Sequence, residues 1–387
     1  MTEKLYDLNG RARAFSARVL SCAEKDGKWA VELDRTAFFP MGGGQEGDQG
    51  ILHGVRVTDT VEEDGRIYHL CVSPLPVGAQ VQGTLDWELR FARMQVHSGE
   101  HIVSGIAHDK WGCENVGFHM TAEGAVLDFD RELDARQLRE LEEEANRAVW
   151  ANLPFRVWYP SPEELAALSF RQKKELRGPV RLVEIQGIDR CACCAPHVER
   201  SGEIGLIRLS DPMRHRGGVR LTLRAGLSAW QEDFRLGRDA DSLCRLLSAP
   251  RTGLPEAVQA LQKRMEEQKA ALAAAERRYT ALLLDTAGET EGDLCFFLPA
   301  ETSAAAAREL CEQGGNRCGG ICAVFTENPA GGWRYVMASG IRDLRAESRA
   351  LNAALRGRGG GSPGMIQGSA EASREEITAL FHDKIIG

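Results

Sequence analysis

Two pairs of metal-binding side chains, far apart in the sequence, constrain the fold of this chain more than any other feature. His97 and His101 are four residues apart, and so are Cys193 and His197. On a helix this spacing places two side chains on one face, where both can bind one ion. Imidazole nitrogen and thiolate sulfur suit Zn2+, whereas Mg2+ and Ca2+ prefer oxygen. The sequence therefore predicts a fold in which the two segments meet around one zinc ion.

Two questions stay open at this site. Cys191 and Cys194 compete with Cys193 as the sulfur ligand, and only the spacing to the second pair's histidine favours Cys193. The histidine pair, with Glu100 just before its second member, also matches the inverted zincin pattern H-x-x-E-H, in which Glu100 is the general base of a metallopeptidase. Such an enzyme keeps one metal position open, whereas four protein ligands form a closed site. We therefore expect the ion to orient a substrate, with Glu100 as a base or as a partner of one imidazole.

Composition excludes several classes of protein. The 387 residues are 43% hydrophobic and 27% charged, which is near the norm for a globular protein of several domains. The cysteines number eleven, an odd count, so a disulfide framework is not expected. The N-terminal residues lack a signal-peptide pattern and no apolar stretch is long enough to span a membrane, so we expect a cytoplasmic protein with no membrane partner. Because the net charge is -8, any polyanion has to be bound by local basic patches.

The hydrophobic pattern predicts an α+β protein of four domains. Strand-like alternation predicts a small β-barrel-like domain at residues 1–90. Residues 91–229 combine strands with amphipathic helices and form the predicted zinc-binding domain. A helical hairpin or coiled coil is expected at 230–287, and an α/β domain at 288–387.

A heptad pattern runs through the helix that is expected to start near Leu254. Its seam positions alternate by four and three residues and are Val258, Leu261, Met265, Gln268, Leu272, Ala275, Tyr279 and Leu282. Such a seam packs against another helix. One seam does not identify its partner, so the sequence allows either an antiparallel hairpin within one chain or a coiled coil between two copies in a homodimer.

The segment Gly42-Gly43-Gly44-Gln45 is the first of two glycine-rich stretches. It is part of a formal G-x-G-x-x-G match, but a strand pattern follows it where a dinucleotide site needs a helix. We therefore expect substrate-binding glycines whose backbone lies close to a ligand, with Gln45 as the polar side chain that contacts it.

The second glycine-rich stretch runs from Gly357 to Gly368 and is expected to be a loop. Arg358, Gly359 and Gly360 offer a guanidinium beside exposed amides, a combination that binds phosphate. Arg220 ends another basic stretch, close in sequence to the second metal pair, and is expected to contact the same kind of ligand. These residues suit a phosphate-bearing substrate.

Taken in order, these motifs resemble a known family. The Gly-Gly-Gly-Gln segment, the two metal pairs and the run Ser201-Gly-Glu-Ile-Gly resemble the editing domain of alanyl-tRNA synthetase and its free-standing relatives, the AlaX-type alanyl-tRNA editing proteins. The heptad helix and the second glycine stretch resemble the C-terminal, DHH-associated nucleic-acid-binding domain of the same synthetase. Because the sequence starts at the predicted barrel, we expect a long-form trans-editing factor and not a synthetase.

The resemblance implies hydrolysis of mischarged tRNA(Ala), chiefly Ser-tRNA(Ala) and also Gly-tRNA(Ala). By position, the implied zinc ligands are His97, His101, Cys193 and His197, and the implied amino-acid pocket residues are Gln45 and Thr36. ATP binding is a further property attached to the family. Three alternatives are a non-catalytic tRNA or single-strand binder with structural zinc, a deacylase for another tRNA such as Ser-tRNA(Thr), and the metallopeptidase.

Overall fold

The structure, a computed structural model, describes residues 2–121, 123–172, 178–381 and 384–386. It divides the chain into two units, Met1–Ser242 and Leu243–Gly387. Each unit has hydrophobic cores of its own. Among the described residues, no helix combines the length and the apolar character that crossing a membrane requires.

The first unit begins with a closed six-stranded barrel. Its opening elements are β1 (Glu3–Lys4), α1 (Leu5–Leu8), β2 (Ala14–Lys25), β3 (Lys28–Leu33), β4 (Arg35–Thr36), β5 (Gly50–Leu52), β6 (Val55–Glu63), β7 (Arg66–Cys71) and β8 (Gln80–Leu85). The barrel order is β2-β3-β7-β6-β5-β8, and β1 pairs separately with β4. In β8 every second residue is buried: Val81, Gly83 and Leu85 are buried, and Gln80, Gln82 and Thr84 are exposed. This alternation is what the sequence pattern predicts for a barrel strand.

A long helix, α2 (Trp87–Trp111), follows the barrel. Asp86 caps its first turn by accepting a hydrogen bond from the backbone N–H of Leu89 at 3.1 Å. Gly112 ends the helix in the left-handed conformation, at φ 60°. The buried face of α2 belongs to the main core of this unit, and it also carries both histidines of the first metal pair.

Two antiparallel sheets complete the first unit. The remaining elements are β9 (Asn115–Thr121), β10 (Gly124–Phe129), α3 (Ala135–Trp150), β11 (Phe155–Trp158), α4 (Pro162–Ala167), β12 (Leu182–Ile185), β13 (Asp189–Ala192), β14 (Ile207–His215), β15 (Gly218–Ala225) and α5 (Leu227–Leu247). One sheet has the order β14-β15-β10-β9 and the other β11-β12-β13. Strand β13 ends directly before Cys193, so the second metal pair lies in the loop that leaves this strand.

The second unit is a mixed six-stranded sheet with helices. Its elements are α6 (Leu254–Ala287), β16 (Leu294–Leu298), α7 (Ala304–Gly315), β17 (Cys322–Glu327), β18 (Trp333–Ala338), α8 (Leu344–Ala354), β19 (Arg358–Ser362), β20 (Met365–Ala370), α9 (Arg374–Leu380) and β21 (Lys384–Ile386). The strand order is β19-β20-β18-β17-β16-β21. Strands β17, β16 and β21 run parallel, and the other pairings are antiparallel.

The prediction of a protein that mixes helices and sheets is confirmed, and one detail of it is wrong. The stretch from Gly357 to Gly368 is not a loop but a β-hairpin of β19 and β20. Its glycines allow close strand approach: a Cβ on Gly359 would lie 2.3 Å from the hydroxyl oxygen of Tyr335. The division into four domains and both interpretations of the heptad seam stay predictions.

Candidate metal centre and cleft

The four side chains of the two metal pairs converge on one point. One ligand atom from each of His97, His101, Cys193 and His197 lies within 4.8 Å of all the others. The Sγ atom of Cys193 is 3.6 Å from Nε2 of His97 and 3.3 Å from Nε2 of His197. The fold thus brings together residues from the middle of α2 and from the loop after β13. Below, these four residues are called the His/Cys cluster.

Each imidazole of the cluster is oriented by a hydrogen bond at its other nitrogen. The Nδ1 atoms of His97, His101 and His197 lie 3.0 Å from Oε1 of Gln45, 2.9 Å from Oδ2 of Asp189 and 3.1 Å from Oγ of Ser98, respectively. When Nδ1 donates its proton to such an acceptor, Nε2 presents a lone pair to the centre. Partners of this kind hold metal-binding histidines in the required tautomer. The three imidazoles therefore match the geometry that a metal ion needs.

Electrostatics also favour a cation at this point. Burial, together with the neighbouring imidazoles and Arg181, lowers the pKa of His197 well below its ordinary value. Burial raises the pKa of the Cys193 thiol. A neutral, buried set of nitrogen and sulfur donors gains a partner when a divalent ion binds and displaces the thiol proton. Three imidazoles and one thiolate make a typical closed zinc site, so the residues fit the predicted metal.

Asp189 connects His101 of the cluster to the guanidinium of Arg171. Burial alone would raise the pKa of its carboxyl group, but hydrogen bonds from His101 and Arg171 hold the pKa below its ordinary value. Arg171 donates from Nε and Nη2 to the two carboxylate oxygens, at 2.7 and 2.8 Å. Asp189 therefore stays ionised and fixes the ring of His101.

We expect the substitution Asp189→Ala to weaken zinc binding about 10- to 100-fold, because the imidazole of His101 loses its orienting acceptor. The measurement is competition for zinc against a chelating dye. Asp128→Ala is the matched control, since Asp128 pairs in the same bidentate way with Arg220, at 2.6 and 2.7 Å, but does not contact the cluster. Equal losses of affinity in the two variants would contradict the assignment.

The glycine segment forms a tight turn beside the cluster. Gly42 and Gln45 exchange two backbone hydrogen bonds of 3.0 Å. Gly44 has φ +84°, and a Cβ there would lie 2.5 Å from the ring of Phe118. Only glycine fits this approach, as the sequence pattern predicts. Gly42, Gly43 and Gly44 line a cleft of about 750 Å³ together with His97, His101 and Cys193.

Helix α2 holds both this turn and the histidines. Arg90 forms a fully buried ion pair with Asp48, and its Nη2 donates to the carbonyl of Ala37 at 2.7 Å. Three residues further along, Arg93 donates to the carbonyl of Gly47 at 2.8 Å. Since the histidines follow on the same helix, these contacts set the distance between the glycine turn and the cluster.

Glu100 lies on the wall of the same cleft. Its Oε1 accepts hydrogen bonds from the hydroxyl of Ser104 at 2.7 Å and from Nδ2 of Asn115 at 2.6 Å. Its Oε2 lies 3.9 Å from Nε2 of His101, the nitrogen that faces the centre of the cluster. The carboxylate is therefore held in place beside the position of a bound ion.

Thr36 lies among the barrel residues and not along the cleft. Its hydroxyl is 2.8 Å from Nε2 of His69, whose Nδ1 is 2.9 Å from the carbonyl of Val31. Nδ1 donates to that carbonyl, so Nε2 accepts the hydroxyl proton of Thr36. Burial lowers the pKa of His69 to about 4, which keeps this ring neutral. A pocket role for Thr36 stays a prediction.

The predicted phosphate contacts also lie outside this cleft. Arg220 is on β15, where it is bound to Asp128. Arg358, Gly359 and Gly360 are exposed on the edge strand β19 of the second unit. Sequence reasoning missed Asp189, Ser98 and Asn115. The only signal for Asp189 is a charged residue within the strand-rich segment that leads to the Cys/His pair.

Comparisons with known proteins agree with this geometry. Residues 180–229 match the family model described as the threonyl and alanyl tRNA synthetase second additional domain. The alanyl-tRNA editing protein AlaX-M of Saccharolobus solfataricus is 35% identical over 240 residues, which cover 58% of this chain and 100% of that protein. This chain belongs to the AlaX family.

Two longer relatives match different shares of this chain. The AlaX-L protein of Pyrococcus horikoshii is 30% identical over 218 residues, 54% of each chain, so the match spans about half the length of that relative. The alanine–tRNA ligase of Pyrobaculum neutrophilum is 31% identical over 391 residues, which cover 95% of this chain and 42% of the ligase. The similarity to the ligase therefore includes the second unit as well as the first.

Proposed function

We propose that this AlaX-family chain hydrolyses the ester of mischarged tRNA(Ala), chiefly Ser-tRNA(Ala) and also Gly-tRNA(Ala). The observation that carries the proposal is the convergence of the His/Cys cluster and the glycine turn on one cleft. Relatives of this chain bear the name alanyl-tRNA editing protein. We propose zinc as the ion because the donors are three imidazoles and one thiolate.

The chain itself offers a base for the reaction. Zinc, when bound by the four residues of the cluster, would fix the loop and the helix that position the aminoacylated 3′ end beside Glu100. Oε2 of Glu100 would accept a proton from the attacking water while Ser104 and Asn115 hold the carboxylate through Oε1. The bond between the acyl carbon and the ribose oxygen then breaks, and that oxygen takes up a proton. An aminoacyl ester is already activated, so positioning and proton transfer suffice without a covalent nucleophile.

Gln45 supplies a basis for choosing serine. Its Oε1 accepts a hydrogen bond from Nδ1 of His97, and its Nε2 is buried with no hydrogen-bond partner in the described part of the chain. This orientation of the amide is required for metal binding, since Nδ1 of His97 has to carry the proton. We propose that Nε2 of Gln45 donates to the hydroxyl of a seryl ester. An alanyl ester leaves this donor unpaired, which penalises its binding.

For the second unit we propose a role in tRNA binding, as a DHH-associated domain. The guanidinium of Arg358 and the backbone of Gly359 and Gly360 are exposed on β19, where they would contact the RNA backbone. A homodimer formed through α6 and a cytoplasmic location are further proposals that rest on the sequence.

Full-length protein is expected to release serine from Ser-tRNA(Ala) and to act at least about 100-fold more slowly on Ala-tRNA(Ala), because the alanyl ester lacks the hydroxyl. Gly-tRNA(Ala) lacks it too and is expected to react more slowly than Ser-tRNA(Ala). The measurement is the rate of deacylation with and without a chelator. The rate on Ser-tRNA(Thr), measured in parallel, tests whether the protein selects the tRNA as well as the amino acid. Tight tRNA binding without release of any amino acid would replace this proposal by the non-catalytic binder.

A further inference from the structure

Arg181 lies on the wall of the cleft with part of its guanidinium unused. The residue is 7% exposed. Its Nη1 donates to the carbonyl oxygens of Cys193 at 2.8 Å and Ala195 at 2.9 Å, and these are its hydrogen bonds to the described residues. Its Nε atom is buried and has no hydrogen-bond partner among the residues that the structure describes. A buried N–H of a charged group costs free energy when it has no acceptor. This edge of the guanidinium is therefore expected to bind a ligand.

The chemistry of that edge defines the missing partner. Both hydrogens of Nη1 are used by the two carbonyls, which leaves Nε and Nη2. These two nitrogens form the side of the fork that binds a phosphate or a carboxylate with two parallel hydrogen bonds. The guanidinium is planar and permanently charged, so its orientation is set by the backbone of the metal-binding loop.

The other charged side chains along the cleft all have polar partners, and the acidic ones among the described lining residues are Asp7, Glu62 and Glu100. Among the described lining residues, Lys4 and Arg181 are the lysine and arginine side chains, and Lys4 is 3.2 Å from a carboxylate oxygen of Glu62. Asp7 accepts a hydrogen bond of 3.0 Å from the hydroxyl of Tyr159. Arg181 differs from Lys4 because its hydrogen bonds go to neutral carbonyl groups and leave its charge uncompensated. The cleft therefore has one position prepared for an anion.

We infer that Arg181 binds the phosphodiester group on the 5′ side of the esterified terminal nucleoside. The inference rests on the proposed function and adds a contact to the substrate at the same site. A mischarged tRNA has a permanent negative charge at this phosphodiester, whereas the ester itself is neutral and the amino-acid carboxylate forms only after hydrolysis. Because Arg181 also holds the carbonyls of Cys193 and Ala195, the phosphate and the ester would be fixed relative to one rigid loop.

Two small substrates that differ only in the phosphate test this contact. They are 2′(3′)-O-seryl adenosine 5′-monophosphate and 2′(3′)-O-seryl adenosine. Wild-type protein is expected to hydrolyse the first with a kcat/KM about 10- to 100-fold higher, the range for hydrogen bonds to a charged group. Arg181→Gln is expected to abolish that preference, so that the ratio of the two kcat/KM values falls to about 1. Arg156→Gln is the matched control, because Arg156 lies on β11, the strand that pairs with β12 just after Arg181, and its side chain is 68% exposed.

A binding measurement separates this inference from the proposed function. Calorimetry compares adenosine 5′-monophosphate with adenosine on the wild type and on both variants, and zinc content is determined in each sample. The monophosphate is expected to bind about 10- to 100-fold more tightly to the wild type and to Arg156→Gln, and to lose that advantage in Arg181→Gln.

Each other result has a defined meaning. Hydrolysis of both esters by the wild type at the same kcat/KM overturns the phosphate contact and leaves the deacylase intact. An equal loss on both esters in Arg181→Gln, with zinc retained, assigns the arginine to the reacting carbonyl and also overturns it. If neither ester is hydrolysed but the monophosphate keeps its advantage, the deacylase fails and the phosphate contact stands. If Arg181→Gln loses its zinc, the ratio of the two kcat/KM values of the wild-type protein, for the ester with and without the phosphate, decides whether the phosphate contact stands.

Discussion

His101→Ala is expected to lower kcat/KM for Ser-tRNA(Ala) about a thousandfold, since loss of the ion that positions the ester beside its base costs several kcal/mol of transition-state stabilisation. His101 occupies a central place in the cluster: its ring centroid is 4.6 Å from that of His197 and 5.5 Å from that of His97. Its removal leaves an incomplete donor set and takes from Asp189 one of its hydrogen-bond donors. We expect bound zinc to fall well below one ion per chain, measured by elemental analysis beside the deacylation rate.

Two further variants make this result specific. His108→Ala changes another histidine of α2, one that is half exposed and lies 2.8 Å from Glu114, and it should keep both zinc and activity. Glu100→Gln should keep zinc and lower kcat about 100-fold, because it removes a base without removing a ligand. A zinc-free His101→Ala protein with normal deacylation would refute the metal-dependent mechanism.

The sequence predicts the four side chains that converge in the structure for a physical reason. Two pairs of histidine and cysteine at four-residue spacing offer nitrogen and sulfur donors, and these atoms define the chemistry before any fold is known. The glycine turn is similar because Gly44 has a positive φ, whereas its contact with Phe118 depends on the fold. Both signals are local. They depend on covalent spacing and backbone conformation, which can be read along the chain.

What the sequence does not reveal are contacts set by tertiary packing. Asp189 lies 88 positions from His101, the histidine that it orients. No motif in either segment indicates that the two residues are in contact. For Thr36, the resemblance assigns its hydroxyl to a pocket, and only the packed barrel reveals that His69 accepts its proton. The hairpin of β19 and β20 was hidden because glycine usually marks loops, and its use for close strand approach depends on Tyr335.

Arg90→Ala is expected to lower the free energy of unfolding by about 3–5 kcal/mol, because it leaves the buried carboxylate of Asp48 without its counter-charge. Both side chains of this pair are inaccessible, at 0% and 1% exposure. Asp48 also accepts a hydrogen bond of 2.6 Å from the backbone N–H of Phe39. The carboxylate cannot turn toward water without losing this hydrogen bond to the segment that leads into the glycine turn. Urea denaturation of the full chain measures the change.

Arg147→Ala is the matched control for that experiment, because its ion pair with Glu143 is 68% and 62% exposed and should contribute at most about 0.5 kcal/mol. In the double variant Arg90→Ala/Asp48→Ala the uncompensated charge is gone, so its destabilisation should be smaller than the sum of the two single variants by about 0.5–3 kcal/mol. A loss below about 1 kcal/mol for Arg90→Ala would show that water reaches Asp48. The pair would then not be the anchor that fixes the glycine turn relative to the histidines of α2.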